Sequence, residues 1–142
     1  MIEEKICLSA EETENAGYEF AKSLAAGDFV AMRGDLGAGK TAFVRGVARY
    51  LCPESRVSSP TYAIVNTYRG KTTIYHFDMY RIDGEESLYS TGFFDYLDED
   101  AICIAEWSEK IEEFLPVNAY YVAIDKLGEN ERRIKISKDV LR

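Results

Sequence analysis

The sequence predicts a single α/β domain, residues 1–142, built in three layers with a mostly parallel central sheet between helices. Runs with the pattern of buried strands alternate along the chain with runs of helical periodicity, which is the order that produces parallel strands. A glycine-rich turn at residues 34–39 links one such strand to a helix. Two β-rich runs, residues 62–68 and 72–77, are separated only by Arg-Gly-Lys at 69–71, so we expect an antiparallel hairpin inserted into the sheet.

The first elements are a predicted edge strand and a predicted helix. Residues 6–8 form a short apolar run that suits an edge strand. Ser9 fits the N-cap of the helix because Glu12 follows at the spacing of a capping box. Phe20 and its apolar neighbours form one face of this helix, which we expect to close near Gly27.

The glycine-rich turn has the pattern Gly-x-x-x-x-Gly-Lys-Thr at residues 34–41, between a predicted strand at 28–32 and a helix that begins near Lys40 and continues to Leu51. Glycines let the backbone turn its N–H groups inward around a phosphate, and the positive end of the helix points at the same phosphate. Lys40 supplies a mobile charge for the phosphate oxygens, and the Thr41 hydroxyl suits Mg²⁺. The pattern predicts a phosphate-binding P-loop. The expected nucleotide contacts are Asp35, Leu36, Gly37, Ala38, Gly39, Lys40, Thr41 and Ala42, with Ser9 as a further candidate.

The segment after the P-loop helix contains a proline that restricts its backbone. Pro60 excludes Ser59 from the helical region and favours an extended conformation. A loop stiffened in this way is either a switch, in which Thr61 responds to a terminal phosphate and Mg²⁺, or a plain connection into the next strand. The candidate switch-like loop comprises Ser59, Pro60, Thr61 and Tyr62.

Two acidic residues stand at the ends of predicted strands. Asp78 follows the second hairpin strand, where its carboxylate either orients a metal-bound or attacking water or forms a structural salt bridge. Glu106 lies near the end of the apolar run 101–107. Ligands of open α/β sheets bind at the carboxyl ends of strands, so we expect Glu106 beside the P-loop as the carboxylate linked to Mg²⁺. The candidate catalytic residues are Lys40, Asp78 and Glu106; the candidate metal ligands are Thr41 and Glu106; candidate cover or partner contacts are Trp107, Tyr80 and Arg81.

The remaining segments predict surface helices and a closing hairpin. Residues 84–100 are acidic and fit one or two short helices. Ser108 fits the N-cap of a helix at residues 109–115. Two strands at 119–125 and 132–137 complete the chain as a hairpin.

The charge and composition restrict the partners. A formal net charge of -8 opposes unaided binding to RNA or to an anionic membrane, so any connection to RNA would run through a partner. Arg132 or Arg133 on the basic last strand either reaches a nucleotide or RNA or belongs to a solvated edge strand. The acidic first residues and the lack of a long apolar run predict a cytoplasmic protein. The three widely separated cysteines predict buried thiols, and the single histidine, His76, disfavours a histidine-based metal site.

Four blocks in this order, residues 34–41, 59–62, 76–81 and 106–107, resemble the TsaE family, the small bacterial ATPase of tRNA threonylcarbamoyladenosine biosynthesis. The resemblance covers nearly the whole chain. It implies a P-loop NTPase fold, slow Mg²⁺-dependent ATP hydrolysis, and assembly with the TsaD and TsaB subunits, which modify an adenosine beside the anticodon. It also implies the roles of the residues in these blocks: Lys40 on phosphate, Thr41 and Glu106 on Mg²⁺, Asp78 in catalysis or coordination, and residues 59–62 as the switch-like loop.

Size and sequence also bear on the rival functions. A domain of this length has little room for an acceptor pocket or a lid, which disfavours a small-molecule kinase. No arginine finger is evident, so we expect a poor ATPase that a partner completes or regulates. A nucleotide-dependent binding module in which hydrolysis is incidental remains a second alternative. A regulatory GTPase is disfavoured because the sequence has no Asn-Lys-x-Asp stretch near the closing strands. A dinucleotide-binding turn is disfavoured because the glycines at 34, 37 and 39 have the wrong order for Gly-x-Gly-x-x-Gly.

Overall fold

The structure, a computed structural model, describes residues 2–35, 37–58, 65–97 and 100–138 of the chain. Strands and helices alternate through most of it, as the sequence predicts. Short 3₁₀ segments at Phe93–Tyr96 and Ser108–Phe114 flank the fifth strand. The elements in chain order are β1 (Ile2–Cys7), α1 (Ala10–Ala21), β2 (Phe29–Arg33), α2 (Lys40–Leu51), β3 (Val65–Tyr68), β4 (Thr73–Asp78), α3 (Glu85–Ser90), β5 (Ala101–Glu106), β6 (Tyr120–Lys126) and β7 (Arg132–Ser137).

The described strands form one seven-stranded sheet in the order β1-β7-β6-β2-β5-β4-β3. The four middle strands, β6, β2, β5 and β4, are parallel to one another. Antiparallel pairs complete both sides, β1 with β7 and β7 with β6 on one, β3 with β4 on the other. The mixed α/β class, the inserted hairpin and the closing hairpin are therefore confirmed, while the parallel part is limited to the middle of the sheet.

Both faces of the sheet are covered by apolar clusters. Side chains of a strand alternate between the two faces, so consecutive residues of β2 enter different clusters. Val30 and Met32 join the cluster that includes α1 and α2. Phe29 and Ala31 join the cluster on the other face, with Leu88 of α3 and the 3₁₀ segments. The predicted alternation of buried strands and covering helices is thus confirmed.

Helices α1 and α2 pack closely through glycines. A Cβ added at Gly46 would lie 1.8 Å from the carbonyl oxygen of Glu14, and one at Gly17 would lie 2.1 Å from the carbonyl oxygen of Phe43. These distances are far shorter than van der Waals contact, so a larger residue requires the helices to move apart. The helix that follows the glycine-rich turn is therefore held directly against α1.

The N-cap of α1 is formed as predicted, but its end is earlier than expected. Ser9 Oγ accepts a hydrogen bond from the Glu12 backbone N–H at 3.1 Å. The Glu12 carboxylate accepts one from the Leu8 N–H at 3.2 Å. The helix ends at Ala21 rather than near Gly27, because the next residues form i→i+3 turns instead of continuing the α-helical pattern.

The predicted helix at residues 109–115 is also different. The structure has a 3₁₀ segment, Ser108–Phe114, in which Ile111 has non-helical φ/ψ angles. Ser108 is not its cap; Trp107 precedes the segment in the left-handed region, with φ 58° and ψ 41°, and no side chain caps it. After this tight turn, Ser108 and Ile111 are buried. Burial of these residues, rather than a side-chain cap, accompanies the start of the segment.

The three cysteines are free and buried, which confirms the sequence prediction. Burial raises the pKa of the Cys52 thiol to about 11 and also raises that of Cys7. Cys52 Sγ donates to the carbonyl oxygen of Thr72 at 3.1 Å, and Cys103 Sγ donates to that of Tyr96 at 3.3 Å. Among the described residues, no helix has the length and apolar character needed to cross a membrane.

Candidate functional site

A cavity of about 370 Å³ lies at the carboxyl ends of the middle strands. The glycine-rich turn follows β2, while Asp78 is the last residue of β4 and Glu106 the last of β5. Because β4, β2 and β5 are parallel, their carboxyl ends meet at one edge of the sheet. The structure therefore brings together residues from three separate predicted motifs. The lining residues are Gly37, Ala38, Gly39, Lys40, Thr41, Asp78, Glu106 and Trp107.

The glycine-rich turn has a backbone that other residues would not tolerate. Gly34 has a φ of 150°, and a Cβ on it would lie 2.3 Å from the carbonyl oxygen of Ile124. Gly39 precedes α2 with a φ of 103°, in the left-handed region that favours glycine. Helix α2 then begins at Lys40, so the first turn of the helix, whose N–H groups have no partner within the helix, borders the same cavity.

Lys40 lines the cavity and is buried, with 5% of its surface exposed. Its Nζ donates to the carbonyl oxygens of Gly34 and Asp35. It also lies 4.0 Å from the centre of the Trp107 ring, within range of a cation–π interaction. Burial lowers the pKa of Lys40, and the nearby carboxylates, led by Glu106, partly oppose that shift. The ammonium group is thus poorly solvated and suited to an anionic ligand.

Glu106 is held inside the protein by a chain of side chains. It is 4% exposed, and its Oε2 lies 2.5 Å from Nε2 of His76, which is fully buried. His76 Nδ1 lies 2.9 Å from the Tyr68 hydroxyl, which also donates to the carbonyl oxygen of Ser58 at 3.1 Å. Sequence reasoning assigned no role to His76 or Tyr68. Period-two alternation places His76 and Asp78 on one face of β4, but the partnership with Glu106 depends on the register between β4 and β5.

Asp78 is the register partner of Glu106 and is half-buried. Its Oδ1 accepts a hydrogen bond from the Tyr80 N–H at 2.9 Å. Tyr80 is 55% exposed, and its ring centre lies 4.9 Å from that of the half-buried Trp107. Tyr80 therefore packs on Trp107, which lines the cavity, while Tyr80 itself and the exposed Arg81 lie outside the lining.

Arg132 stabilises the glycine-rich turn through hydrogen bonds to its backbone carbonyl oxygens. Its Nε donates to the carbonyl oxygen of Ala38 at 2.9 Å, and its Nη2 donates to that of Gly37 at 3.3 Å. Its Nη1 donates to carbonyl oxygens of the β6–β7 turn, including Gly128 at 2.9 Å. The guanidinium group thus fastens the glycine-rich turn to the closing hairpin.

The other predicted site residues are placed differently. Ser9 caps α1, and Ala42 lies in the first turn of α2; within the described chain neither lines the cavity. Leu36 lies outside the described residues. The predicted switch-like loop of Ser59, Pro60, Thr61 and Tyr62 also lies outside them.

The oxygen-bearing side chains of the site suit a hard cation with few protein ligands. Thr41, Asp78 and Glu106 line the same cavity. In the part of the chain that is described, no group of three or more histidine, cysteine, aspartate or glutamate side chains could hold a metal ion. Mg²⁺ commonly uses one or two protein oxygens and takes its other ligands from water and substrate phosphates. The donor set therefore fits Mg²⁺ bound together with a phosphate ligand.

Comparison with known proteins identifies the family. A family model described as "Threonylcarbamoyl adenosine biosynthesis protein TsaE" matches residues 7–134. The chain belongs to the TsaE family. The matched range contains all of the described residues that line the cavity, so the family resemblance of the sequence blocks is confirmed over the whole site.

Individual TsaE relatives and one solved structure agree with this assignment. A Rickettsia conorii protein named "tRNA threonylcarbamoyladenosine biosynthesis protein TsaE" is 40% identical over 130 residues, which cover 90% of this chain and 74% of the relative. A Bacillus subtilis protein of the same name is 36% identical over 128 residues, covering 89% and 80% of the two chains. The crystal structure of Bacillus subtilis YdiB matches with a TM-score of 0.81 and 31% identity, covering 96% of this chain and 84% of that one.

Proposed function

We propose that this protein is an ATP-binding and ATP-hydrolysing subunit of tRNA threonylcarbamoyladenosine biosynthesis that works with TsaD and TsaB. One observation carries the proposal: a Gly-x-x-x-x-Gly-Lys-Thr turn, Asp78 and Glu106 border a single cavity. The parallel middle of the sheet, with the turn between β2 and α2, supports a three-layer P-loop NTPase fold. The pathway comes from the family to which the chain belongs.

The phosphates of ATP are bound by the turn and by Lys40. The start of α2 borders the cavity, and the backbone N–H groups of a helix N-terminus favour negative charge. Lys40 exchanges its bonds to the carbonyl oxygens of Gly34 and Asp35 for bonds to phosphate oxygens. Because the ammonium group is poorly solvated, this exchange costs little hydration.

Thr41 and Glu106 are the residues that would hold Mg²⁺. Bound there, the ion would neutralise charge on the phosphates and orient them for attack. Thr41 contributes a hydroxyl oxygen from the first turn of α2, and Glu106 contributes a carboxylate from the end of β5. Both ligands therefore come from elements that the sheet core holds rigidly.

Hydrolysis proceeds by in-line attack of water on the terminal phosphorus. The new P–O bond forms as the bond to the ADP oxygen breaks, and the water proton passes to a carboxylate or to the phosphate itself. Asp78 fits the orientation of this water, because it is more exposed than Glu106 and lies beside it at the strand ends. Lys40 stabilises the charge that spreads over the phosphate oxygens.

The described residues also support slow hydrolysis by the isolated protein. Lys40 is the only cationic side chain among the described residues that line the cavity. The guanidinium of Arg132 already donates to backbone carbonyls, and that of Arg81 is exposed outside the cavity. An arginine finger is worth about 10³ to 10⁵ in rate in enzymes that use one. A partner subunit therefore completes the site or couples it to a conformational change.

The charge of the chain supports an indirect connection to RNA. With a net charge of -8, the protein is repelled by the phosphate backbone of tRNA, so TsaD and TsaB supply the RNA contacts. We propose the cytoplasm, where tRNA and ATP are both present, as the site of action.

The proposal is tested by measuring Mg²⁺-dependent ATP binding and release of free phosphate, alone and with TsaD and TsaB. Lys40→Ala is compared with Lys22→Ala, a control on an exposed lysine of the α1 C-terminus. We expect hydrolysis that the partners stimulate, that Lys22→Ala retains and that Lys40→Ala loses. A wild-type protein that neither binds ATP nor responds to the partners would overturn the proposal.

The same assay separates the two rival functions. A small-molecule kinase would transfer phosphate to an acceptor, so ADP would form without an equal amount of free phosphate. In a binding module, Glu106→Ala would abolish hydrolysis and leave tRNA modification by the complex unchanged. We expect equal ADP and phosphate, and loss of modification in Glu106→Ala.

A further inference from the structure

We infer that His76 and Tyr68 are positioning residues that fix the Glu106 carboxylate for Mg²⁺ and connect it to the backbone at Ser58. The inference rests on the proposed function, since it concerns how the proposed Mg²⁺ ligand is held. The family assignment gives the pathway, whereas this role comes from a hydrogen-bonded chain that leads away from the cavity.

The chain of hydrogen bonds from Glu106 through His76 to Tyr68 runs through the interior of the protein. Glu106 Oε2 lies 2.5 Å from His76 Nε2, and His76 Nδ1 lies 2.9 Å from the Tyr68 hydroxyl. His76 and Glu106 are 0% and 4% exposed, and Tyr68 is 3% exposed. In such surroundings hydrogen bonds are strong, and an unpaired polar group is costly. The three side chains therefore have little freedom to move independently.

The bonds at the two ring nitrogens show how the imidazole is fixed. The Tyr68 hydroxyl donates to the Ser58 carbonyl oxygen at 3.1 Å. Its oxygen also shares a hydrogen bond of 2.9 Å with Nδ1 of His76. Bonds at both ring nitrogens fix the plane of the imidazole, which in turn fixes one oxygen of Glu106. Because Glu106 also lines the cavity, the carboxylate is held in place for a ligand there.

The chain of hydrogen bonds ends at the backbone of Ser58, which precedes residues 59–64. The Ser58 carbonyl oxygen accepts from Tyr68 and also from Asn66 Nδ2, at 3.0 Å. Asn66 is the register partner of His76 in the β3–β4 hairpin. A change in the backbone at Ser58 would thus reach Glu106 through three consecutive hydrogen bonds. The hairpin is the part of the fold that carries this connection.

A purely structural role makes a different prediction. If His76 only satisfies a buried carboxylate, its loss lowers the free energy of unfolding but leaves the Mg²⁺ dependence of the folded protein unchanged. If it positions a metal ligand, its loss weakens Mg²⁺-nucleotide binding more than binding of nucleotide without metal. Outer hydrogen bonds to metal ligands typically contribute about 10-fold to 100-fold in metal affinity or activity.

The first experiment compares Tyr68→Phe with Tyr75→Phe. Both delete one hydroxyl group from a tyrosine of the β3–β4 hairpin, but Tyr75 faces the other side of the sheet and packs against Tyr96. Calorimetry measures the affinity for ADP with and without Mg²⁺, and a phosphate assay gives the Mg²⁺ concentration for half-maximal hydrolysis. We expect Tyr68→Phe to raise that concentration by about threefold to tenfold, with affinity for metal-free ADP within about twofold of the wild type. Tyr75→Phe should match the wild type.

Two substitutions of the histidine sharpen the test. In His76→Gln the side-chain amide can still donate to Glu106, whereas His76→Leu leaves the carboxylate without this partner. We expect His76→Gln to restore part of the Mg²⁺ affinity that His76→Leu loses. Equal Mg²⁺ dependence in Tyr68→Phe, His76→Gln and the wild type, while all hydrolyse ATP, would overturn the inference and leave the proposed function intact.

A second measurement observes His76 directly in the wild-type protein. Because the protein has one histidine, the ¹⁵N signals of its imidazole belong to His76 without ambiguity. We expect Mg²⁺ with ADP to shift the Nε2 signal more than ADP alone, and Glu106→Gln to remove that difference. Nε2 signals that respond identically to ADP with and without Mg²⁺ would overturn the inference even if the variants fail to fold. A wild type that binds no nucleotide would overturn the proposed function and this inference together.

Discussion

Asp78 and Glu106 are register partners at the ends of two neighbouring parallel strands, yet their carboxylates have different surroundings. Glu106 is buried and bonded to His76, whereas Asp78 is half-buried and accepts from the backbone N–H of Tyr80. A fixed carboxylate suits a metal ligand, and a more accessible one suits the orientation of water. The parallel register thus places two acids with distinct roles at one cavity.

We expect Glu106→Gln to lower ATP hydrolysis by about 100-fold or more while metal-free nucleotide binding stays close to that of the wild type. The amide removes the negative charge from the proposed Mg²⁺ ligand but preserves its size. Steady-state phosphate release and calorimetric binding provide the measurement. Glu112→Gln is the control, because Glu112 is an exposed acid in the following 3₁₀ segment. Unchanged hydrolysis in Glu106→Gln would remove Glu106 from the proposed mechanism.

Nucleotide affinity should depend on the charge of Lys40. Burial lowers the pKa of its ammonium group from the ordinary 10.5, so the free protein loses this charge at a lower pH than an exposed lysine does. Bound phosphate favours the charged form, and binding therefore takes up a proton as the pH rises through the pKa of the free protein. We expect ATP affinity to fall with increasing pH already below the ordinary lysine pKa of 10.5.

Calorimetry across this pH range measures the effect, and Lys40→Arg provides the control. Arginine stays charged throughout, so whatever affinity this variant has should be independent of the lysine titration. An affinity of the wild-type protein that stays constant up to about pH 10 would contradict a lowered pKa at Lys40.

Arg132→Ala tests whether this residue supports the turn or contacts the nucleotide. Its guanidinium donates to the carbonyl oxygens of Ala38 and Gly37 in the nucleotide-free protein. We expect its loss to lower the free energy of unfolding by about 1–3 kcal/mol. ATP affinity should fall by about tenfold, because the turn is less well ordered before binding.

Chemical denaturation without nucleotide, followed by ATP titration, separates the two roles. A residue that only contacts bound ATP would weaken affinity without changing the stability of the free protein. Arg133→Ala is the matched control: this neighbouring arginine pairs with Asp125 at 3.3 Å instead of with the turn. We expect its effect on ATP affinity to be small.

Gly46→Ala should disrupt the contact between α1 and α2. The new methyl group would lie 1.8 Å from the Glu14 carbonyl oxygen, so the helices must separate. We expect a loss of about 3 kcal/mol in the free energy of unfolding, which lowers the melting temperature by about 10 °C. Thermal unfolding followed by circular dichroism measures this change.

Gly84→Ala is the control for that substitution, because nothing lies within 4 Å of its added methyl group and its backbone is extended. Its melting temperature should stay close to that of the wild type. Equal melting temperatures for both variants would show that the two helices tolerate a wider separation.

The sequence predicts where the strands and helices lie along the chain better than it predicts which strands are neighbours in the sheet. The strand–turn–helix at residues 28–51 has a local signal, because the glycine pattern and the periodicities on both sides lie within one stretch. The placement of β5 and β6 on either side of β2 has no such signal, since it depends on contacts between distant parts of the chain. Glu106 lines the same cavity as the turn, at the carboxyl end of a parallel strand, where a general rule of parallel sheets predicts ligand contacts.

The errors around the site have local physical causes. Trp107 adopts a left-handed backbone conformation, which is uncommon for a residue other than glycine. The sequence therefore contains no pattern that predicts the tight turn after β5. That turn buries Ser108, which looked like a helix cap, and replaces the predicted helix by a 3₁₀ segment. His76 was missed because a lone histidine in a strand has no distinctive spacing. Its contact with Glu106 exists only once the two strands are aligned.

Because the three cysteines are buried, the rate of their alkylation reports local opening of the structure. Cys7 and Cys52 are 0% exposed and Cys103 is 3% exposed, so an alkylating reagent reaches them only when the surrounding structure opens. The raised pKa of Cys52 further lowers the thiolate fraction at neutral pH. A cysteine introduced at the fully exposed Val117 would react at once, so the ratio of its labelling rate to that of Cys52 measures how often the end of α2 opens.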